Sequence, residues 1–194
     1  MLAFVDGETV LETARLRLEP LTPAHAPLLF PVLADARIYT YLPEEPPENL
    51  DSLAQRYQRL VTRRSADDME LWLNWAVQDK ATPAYLGTLQ ATVMAKQPAL
   101  LAYLLNPTFW GYGYAQEGCH RILALLFMGY QVQSVQAEVD TRNCASCTLL
   151  SRLGFQQIGV RPNADHFKGA RSDEYTYELT SMAWQARRAK EIRK

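Results

Sequence analysis

Hydrophobic and polar residues alternate along several short stretches of this chain, as they do in strands that bury one face. Residues 15–21 show the pattern first, with leucines between charged side chains. Further stretches repeat this alternation or form apolar runs of strand length. The segments predicted as strands are 15–21, 71–77, 85–94, 100–105, 134–140, 155–160 and 174–179.

Between these strands, apolar residues recur every three or four positions, which is the pattern of amphipathic helices. Thr22 and Pro23 resemble an N-cap followed by a first-turn proline, and Gly154 stands where a left-handed residue closes a helix. A proline-rich loop is predicted over residues 41–49. The segments predicted as helices are 24–33, 50–64, a helix that follows a glycine-containing junction and ends near Met128, and 143–153.

Residues 1–194 are predicted to form one α+β domain with a mixed, mostly antiparallel sheet. The sequence has no internal repeat, low-complexity linker or visible domain boundary, and its length suits one well-buried domain. The core is expected over about residues 11–180. The basic segment 181–194 is expected to be a solvated helix or a frayed tail.

Composition narrows the class of protein further. The chain is 48% hydrophobic with a net charge of −1, which gives no case for a membrane or nucleic-acid partner. It has no apolar run of about 20 residues and no signal-peptide pattern at its start. Cys144 and Cys147 lack the partners of a metal site, so packing thiols are expected. We expect a soluble cytoplasmic protein without a metal.

The most informative segment is residues 100–126, where an apolar strand passes through a turn into a helix. The strand breaks at Asn106 and Pro107, and the turn carries Gly111 and Gly113. Glycine allows close approach of a ligand to the backbone, and the first N–H groups of a helix are free to bind an anion. The segment therefore predicts a phosphate site, although its spacing fits neither the dinucleotide fingerprint nor the Walker loop.

These elements, in this order, resemble the GCN5-related N-acetyltransferases (GNAT superfamily). The closer resemblance is to the branch of the ribosomal-protein N-terminal acetyltransferases of bacteria, the RimJ/RimL type. The resemblance covers about residues 11–180. The matching pieces are TARLRL at 13–18, Asn106-Pro107, WGYGYA at 110–115, Glu117, Asn143, Ser146 and LGF at 153–155.

The resemblance implies a GNAT-type sheet with splayed strands at the acyl-CoA site, and direct transfer of an acetyl group from acetyl-coenzyme A (acetyl-CoA) to a primary amine in a ternary complex. The turn would hold the pyrophosphate, and free backbone groups of the preceding strand would hold the pantetheine arm. Trp110 stands where the family usually has Gln or Arg. The residues implied in cofactor binding are Tyr103, Leu104, Leu105, Trp110, Gly111, Tyr112, Gly113, Tyr114, Ala115 and Asn143. For Asn143, a helix N-cap role is the alternative.

Ser146 is the residue that the resemblance implies for the departing thiolate. Many family members have a tyrosine one turn before LGF, but this chain has Leu150 there. A serine hydroxyl is a poor acid in water, so Ser146 would act mainly by donating a hydrogen bond to the sulfur. A purely structural helix serine is the alternative.

Glu117 is the first candidate for the general base, because the branch carries a glutamate there. The alternative is a first-turn glutamate that the helix dipole stabilises. Three other acids, Glu138, Asp140 and Asp173, are weaker candidates near the expected cleft. A free α-amine, with a pKa of about 7.7–8.0, needs little help from a base, whereas a lysine amine near about 10.4 needs more.

The acceptor is expected to be a protein N-terminus or a small-molecule amine. Side chains that sit where the family builds its acceptor wall are expected to shape the amine pocket; these are Tyr39, Tyr41, Trp72, Trp75 and the loop 41–49. A homodimer is plausible because related proteins often pair. The alternative reading is an acyl-CoA-binding sensor or interaction protein with weak or lost catalysis.

Overall fold

The computed structural model describes residues 8–192, and these form a mixed sheet of eight strands with helices on both faces. The strand order across the sheet is β1-β2-β3-β4-β5-β6-β8-β7. All neighbours are antiparallel except β5 and β6. The strands are β1 Leu11–Glu12, β2 Leu16–Pro20, β3 Glu70–Asp79, β4 Tyr85–Met94, β5 Ala99–Leu105, β6 Ser134–Asp140, β7 Gln156–Phe167 and β8 Ala170–Thr180.

The helices fill the connections that the hydrophobic pattern assigned to them. Asn49 and Asn143 cap α2 and α4 by accepting a hydrogen bond from the backbone N–H three residues on, and Gly154 closes α4 with a φ of 97°. A π-helical turn, Leu125–Gly129, extends α3. The α-helices are α1 Ala26–Leu33, α2 Leu50–Leu60, α3 Tyr114–Ala124, α4 Cys144–Leu153 and α5 Ser181–Ile192.

Helix α2 ends four residues before its predicted end at residue 64. The reason lies in Arg63, which has a φ of 58° and whose buried guanidinium donates to the carbonyl of Leu21 at 3.0 Å and to Glu8 at 2.8 Å. Those bonds turn the chain out of the helix. Arg64 then pairs with Leu71 at the edge of the sheet.

The last two strands are longer than predicted and form one hairpin. Lys168 and Gly169 join them with positive φ values of 50° and 74°, as a two-residue hairpin turn requires. Most of β7 is exposed, so it lacks the alternation by which a half-buried strand is recognised. The short β1 was also absent from the sequence prediction.

Alternation along the strands gives the sheet two apolar faces. Leu73, Trp75 and Val77 of β3 face a large core under α3, α4 and α5, whereas Ala76 faces a smaller core under α1 and α2. The buried fraction of β3 is high because both faces are covered. The two faces therefore offer separate surroundings for chemistry.

The C-terminal segment, expected to be a solvated helix or a frayed tail, is a helix that packs on the large core. Trp184 is buried and its ring stacks on Phe127 at 5.1 Å. Arg187 donates to the carbonyl of Arg152 at the end of α4, at 2.6 Å. Residues 1–7 and 193–194, which belong to the predicted domain and tail, lie outside the described residues. Among the helices described between residues 8 and 192, none is long and apolar enough to cross a membrane.

Candidate active site

A gap opens in the middle of the sheet between β5 and β6. These parallel strands pair only at Ala99 with Val135 and at Leu100 with Gln136, and then diverge. The N–H of Asn106 donates to a β4 carbonyl at 2.9 Å. The backbone N–H and C=O groups of successive strand residues point in alternate directions, so those of Tyr103 and Leu105 point into the gap.

Leu104 has the opposite orientation to these two residues. The same alternation directs its backbone groups to β4, opposite Thr88, and its side chain lines a cavity on the α1 and α2 face. The sequence prediction placed Leu104 with Tyr103 and Leu105 at the cofactor. The geometry brings only the latter two backbone segments to the gap.

The glycine turn lies at the open end of β5. Gly111 and Gly113 both have a φ of 80°, and a side chain built on Gly111 would meet no atom within 4 Å. The turn leads into α3, which starts at Tyr114 and whose first N–H groups have no partners in the helix. The predicted phosphate site is therefore an open cradle of backbone donors at the positive end of a helix.

Arg15 braces this turn from β2's end of the sheet. Its guanidinium donates to the carbonyl of Tyr112 at 3.0 Å, lies 4.4 Å from the centre of the Tyr114 ring, and pairs with Glu117 at 2.6 Å. It places a positive charge beside the cradle. Sequence reasoning noted Arg15 only as part of the TARLRL match and assigned it no role.

Glu117 is engaged in several hydrogen bonds. Its carboxylate accepts from the hydroxyl of Thr13 at 2.6 Å and from the backbone N–H and guanidinium of Arg15 at 2.8 and 2.6 Å. Burial acts to raise the pKa of Glu117, but these bonds outweigh it, and the pKa lies below its usual value. A carboxylate so stabilised in its charged form is a weak base.

Trp110 and Asn106 fix the two ends of the link between β5 and the turn. The indole N–H of Trp110 donates to the carbonyl of Leu105 at 2.8 Å, while about half of its side-chain surface stays exposed. Asn106 donates to the carbonyl of Val32 on α1 at 2.8 Å and caps the following turn. These bonds hold the turn in place without occupying its N–H groups.

Tyr103 and Ser146 lie together on the α3 and α4 face of the gap. The hydroxyl of Tyr103 is buried and has no hydrogen-bond partner among residues 8–192. Burial raises the pKa of Tyr103, and the nearby Ser146 hydroxyl partly opposes the rise. Asn143 accepts from the N–H of Ser146 at 3.1 Å, so it caps α4 and sets where Ser146 stands.

Asp140 is a structural brace at the end of β6. It pairs with Arg142 at 2.5 Å and accepts from the hydroxyl of Ser172 at 2.7 Å, and its side chain is almost fully buried. The Arg142 hydrogen bond chiefly lowers the pKa of Asp140 to about 2. A carboxylate stabilised in its charged form is a weak base, so these contacts favour a structural role for Asp140.

Glu138 and Glu174 lie across the gap from β5, on the same face of the sheet as α1 and α2. Burial first, and the charge of Glu138 second, raise the pKa of Glu174, although Arg161 binds it at 2.8 Å. A carboxylate with a raised pKa accepts a proton more readily. Sequence reasoning named Glu138 but not Glu174, since the pairing of β6 with β8 brings them together.

A cavity of about 200 Å³ lies on the α1 and α2 face, between α2 and the strands β4 and β5. Tyr57 and Thr88 are almost fully buried in its lining. Neither hydroxyl has a hydrogen-bond partner in the described part of the chain. The lining also includes Tyr39, Glu45, Arg56, Arg59 and Leu104.

Only some of the residues expected to form the acceptor wall line this cavity. Tyr39 and the loop residues Glu45 and Pro47 line it. Trp75 does not, because its side chain points to the opposite face and is buried in the large core, so that expectation was wrong. Trp72 turns its indole N–H to Glu70 at 2.8 Å and does not line the cavity either.

Comparisons with known proteins give the family. A family model described as an acetyltransferase (GNAT) domain matches residues 15–156. The chain is also 26% identical, over 172 residues, to the uncharacterized N-acetyltransferase YoaA of Bacillus subtilis (strain 168), covering 88% of this chain and 96% of that one. This chain belongs to the GNAT acetyltransferase family.

Solved structures show the same fold. The ribosomal-protein-S5-alanine acetyltransferase from Vibrio fischeri has a TM-score of 0.77 at 17% identity, with 91% of this chain and 98% of that chain covered. The spermidine N-acetyltransferase from Vibrio cholerae, in complex with CoA and spermine, has a TM-score of 0.75 at 19% identity, with 89% and 99% covered. At these identities the likeness shows the fold alone.

Within residues 8–190 there is no group of three His, Cys, Asp or Glu side chains that could hold a metal ion.

Proposed function

We propose that this chain transfers an acetyl group from acetyl-CoA to a primary amine by direct attack in a ternary complex. The observation that carries the proposal is the gap between β5 and β6, which opens beside a turn of free backbone N–H groups. Bound there, acetyl-CoA would supply an acetyl group activated as a thioester. The buried, unpaired hydroxyl of Tyr103 in the same gap is a polar group that a bound molecule would satisfy.

The residues of the gap fit a phosphate-bearing thioester in two ways. Residues 111–115 and the N-terminus of α3 would bind the pyrophosphate through backbone N–H groups, with the charge of Arg15 beside them. Tyr103 would bind the extended arm through its strand-edge N–H and carbonyl. Asn143 would contact the same arm from α4.

The hydroxyls of Ser146 and Tyr103 would stabilise the sulfur as the carbon–sulfur bond breaks. Both stand on the α3 and α4 face of the gap, and the raised pKa of Tyr103 keeps its proton in place as a hydrogen-bond donor. Ser146 alone was expected to compensate for the tyrosine that Leu150 replaces. Tyr103 gives a second donor from a strand.

The attacking amine must lose a proton, and the contacts favour Glu174 with Glu138 as its acceptor over Glu117. The pKa of Glu174 is raised although Arg161 binds it at 2.8 Å, whereas three hydrogen bonds hold the pKa of Glu117 below its usual value. We therefore propose that Glu117 positions Arg15 beside the turn. An N-terminal or other weakly basic amine would place the smallest demand on this base.

Direct attack is favoured over a route through an acetylated cysteine. Cys119 is buried, and burial raises its pKa to about 12, so it holds its proton at neutral pH. Cys144, which is exposed, and Cys147, which is partly exposed, both lie in α4, and neither has a histidine base beside it in the sequence. The finer assignment to the ribosomal-protein branch rests on Trp110, Ser146 and the LGF segment.

Release of free CoA thiol, followed with acetyl-CoA and a panel of amines, tests the proposal. Calorimetry with CoA should show binding that weakens in Gly111→Val, since that side chain would enter the open cradle. A thiol signal that depends on the amine supports the transferase. Tight CoA binding without turnover on any amine would instead favour the acyl-CoA-binding sensor, and absence of CoA binding would end both readings.

A further inference from the structure

We infer that the cavity under α2 binds the anionic end of the acceptor, so that the substrate is a primary amine that carries a carboxylate. This inference rests on the proposed function and names the class of its acceptor. Leu104 belongs to β5, the strand that borders the gap, and its side chain lines the cavity. Glu138 lies across the gap on the same face of the sheet, so an acceptor seated in the cavity would direct its amine along this face towards the gap.

The charged side chains in the cavity lining favour an anionic ligand. Arg56 and Arg59 line the cavity, and neither forms a salt bridge with any residue between 8 and 190. Glu45, the acid in the lining, lies 3.6 Å from Lys168, so the two arginines outnumber a single acid that already has a cationic partner. The cavity is positive, and guanidinium groups bind carboxylates through paired hydrogen bonds.

Two buried hydroxyl groups in the cavity also favour a polar ligand. The buried hydroxyls of Tyr57 and Thr88 have no hydrogen-bond partner within residues 8–192. A buried polar group without a partner is costly, and a polar ligand removes that cost. The pair of hydroxyls would bind a carboxylate or amide oxygen that the arginines hold at the rim.

The opposite end of the acceptor has the opposite surroundings. Glu138 and Glu174 lie across the gap, on the same face of the sheet, where they attract an ammonium group. The site thus presents acids to the amine end and arginines to the far end. A polyamine would place positive charge against Arg56 and Arg59. At about 200 Å³ the cavity suits an amino acid or the first residues of a peptide.

The experiment compares ligands that differ by one charge. Alanine is paired with alaninamide, and a C-terminally amidated peptide with glutamate as its second residue is paired with its glutamine counterpart; spermidine is the cationic arm. Binding is measured by calorimetry, with the protein alone and with CoA present, and acetyl transfer is measured separately. The first pair reports a small-molecule carboxylate and the second an acidic peptide.

We expect at least one carboxylate-bearing ligand to bind about tenfold or more tightly than its amide partner. The Arg56→Gln, Arg59→Gln double variant should abolish that preference and leave CoA affinity unchanged. Arg64→Gln, the loss of an exposed arginine outside the cavity, is the matched control and should keep the preference.

Equal binding within both pairs, tighter binding of spermidine, or a preference that survives the double variant would overturn the inference. These readouts are binding measurements. They therefore decide the inference even if no amine is acetylated, which would count against the proposed function alone.

Discussion

The two faces of the gap differ in the kind of chemical group that they present to a ligand. On the α3 and α4 face, the donor side, the candidate contacts are mainly backbone groups of β5 and of the turn. On the α1 and α2 face, the acceptor side, they are side chains from a loop, a helix and a strand, such as Glu45, Arg56 and Thr88. Backbone contacts depend on fold, whereas side-chain contacts depend on which residue each position carries.

This difference explains how one fold serves many substrates. A site of backbone donors persists as long as the strands diverge and the turn keeps its glycines, so the donor can stay constant while the surrounding sequence changes. A site of side chains changes with single substitutions. The acceptor side is therefore where the specificity of this chain should be sought.

The strongest way to break the comparison is to disturb the strand pair that both sides share. A side chain at Gly87 would place its Cβ 2.0 Å from the carbonyl oxygen of Leu104, and its φ of 148° is unfavourable for any other residue. We expect Gly87→Ala to lower the free energy of unfolding by about 3 kcal/mol or more. Urea unfolding measures it.

Gly159→Ala is the control for this experiment. A Cβ at Gly159 meets nothing closer than 3.9 Å, so the stability should change little. Equal stability of the Gly87 and Gly159 variants would show that the β4–β5 pair tolerates separation.

The next effect concerns the donor side alone. Ser146→Ala and Tyr103→Phe should each lower kcat about tenfold, because each removes a hydrogen bond to the sulfur, with little change in CoA affinity. Ser151→Ala is the control, since that hydroxyl is exposed and donates to the carbonyl of Cys147 at 2.9 Å. If either variant keeps full turnover, its hydroxyl has no part in the reaction.

A third prediction uses pH on the brace that ends β6. The folded pKa of Asp140, about 2, lies below its ordinary 3.8. The stabilisation that the charged Asp140 gives to the folded state is therefore present above about pH 4 and is lost as the pH falls through 2. Asp140→Asn should cost about 2 kcal/mol at pH 7, and the difference from the parent protein should shrink towards pH 2 in urea unfolding.

Asp35 provides the comparison for this measurement. It pairs with Arg37 two residues on, as Asp140 does with Arg142, and this hydrogen bond also lowers the pKa of Asp35. The side chain of Asp35 is 22% exposed, against 2% for Asp140, so water screens the pair more and Asp35→Asn should change the pH profile less. Identical profiles for the two variants would show that burial of Asp140 adds nothing.

The smallest effect is expected on the acceptor side. The ammonium of Lys168 donates to the carbonyls of Tyr39, Leu42 and Glu44 at 2.5, 2.8 and 3.0 Å. Lys168→Met should raise the KM of the acceptor about three- to tenfold by loosening this loop, with CoA affinity unchanged. Lys80→Met, which removes a similar bond to Thr13 far from the cavity, should leave KM as it is. Weakened CoA binding in the Lys168 variant would contradict the separation of the two sides.

Much of the fold and of the donor side could be predicted from local sequence patterns. The glycine turn, the Asn143 cap and the Gly154 end each depend on a few adjacent residues. Contacts made across the sheet were beyond such patterns. The proximity of Glu138 to Glu174 and the unpaired hydroxyl of Tyr103 follow from strand order, which periodicity does not supply.

The acceptor side shows the same limit in its residues. Arg56 and Arg59 lie on the exposed side of α2, and the sequence prediction gave them no role because only the tertiary fold places a cavity beside them. Trp75 was assigned to the wrong face, since both faces of β3 are buried and its alternation carries no polar signal.

The clamp formed by Lys168 joins two distant parts of the chain. The lysine and the Tyr39 carbonyl it binds are separated by 129 positions, so during synthesis the loop emerges long before the hairpin that holds it. The proposed acceptor wall is therefore complete only when β7 and β8 are in place, and a chain that ends before residue 168 would lack this contact.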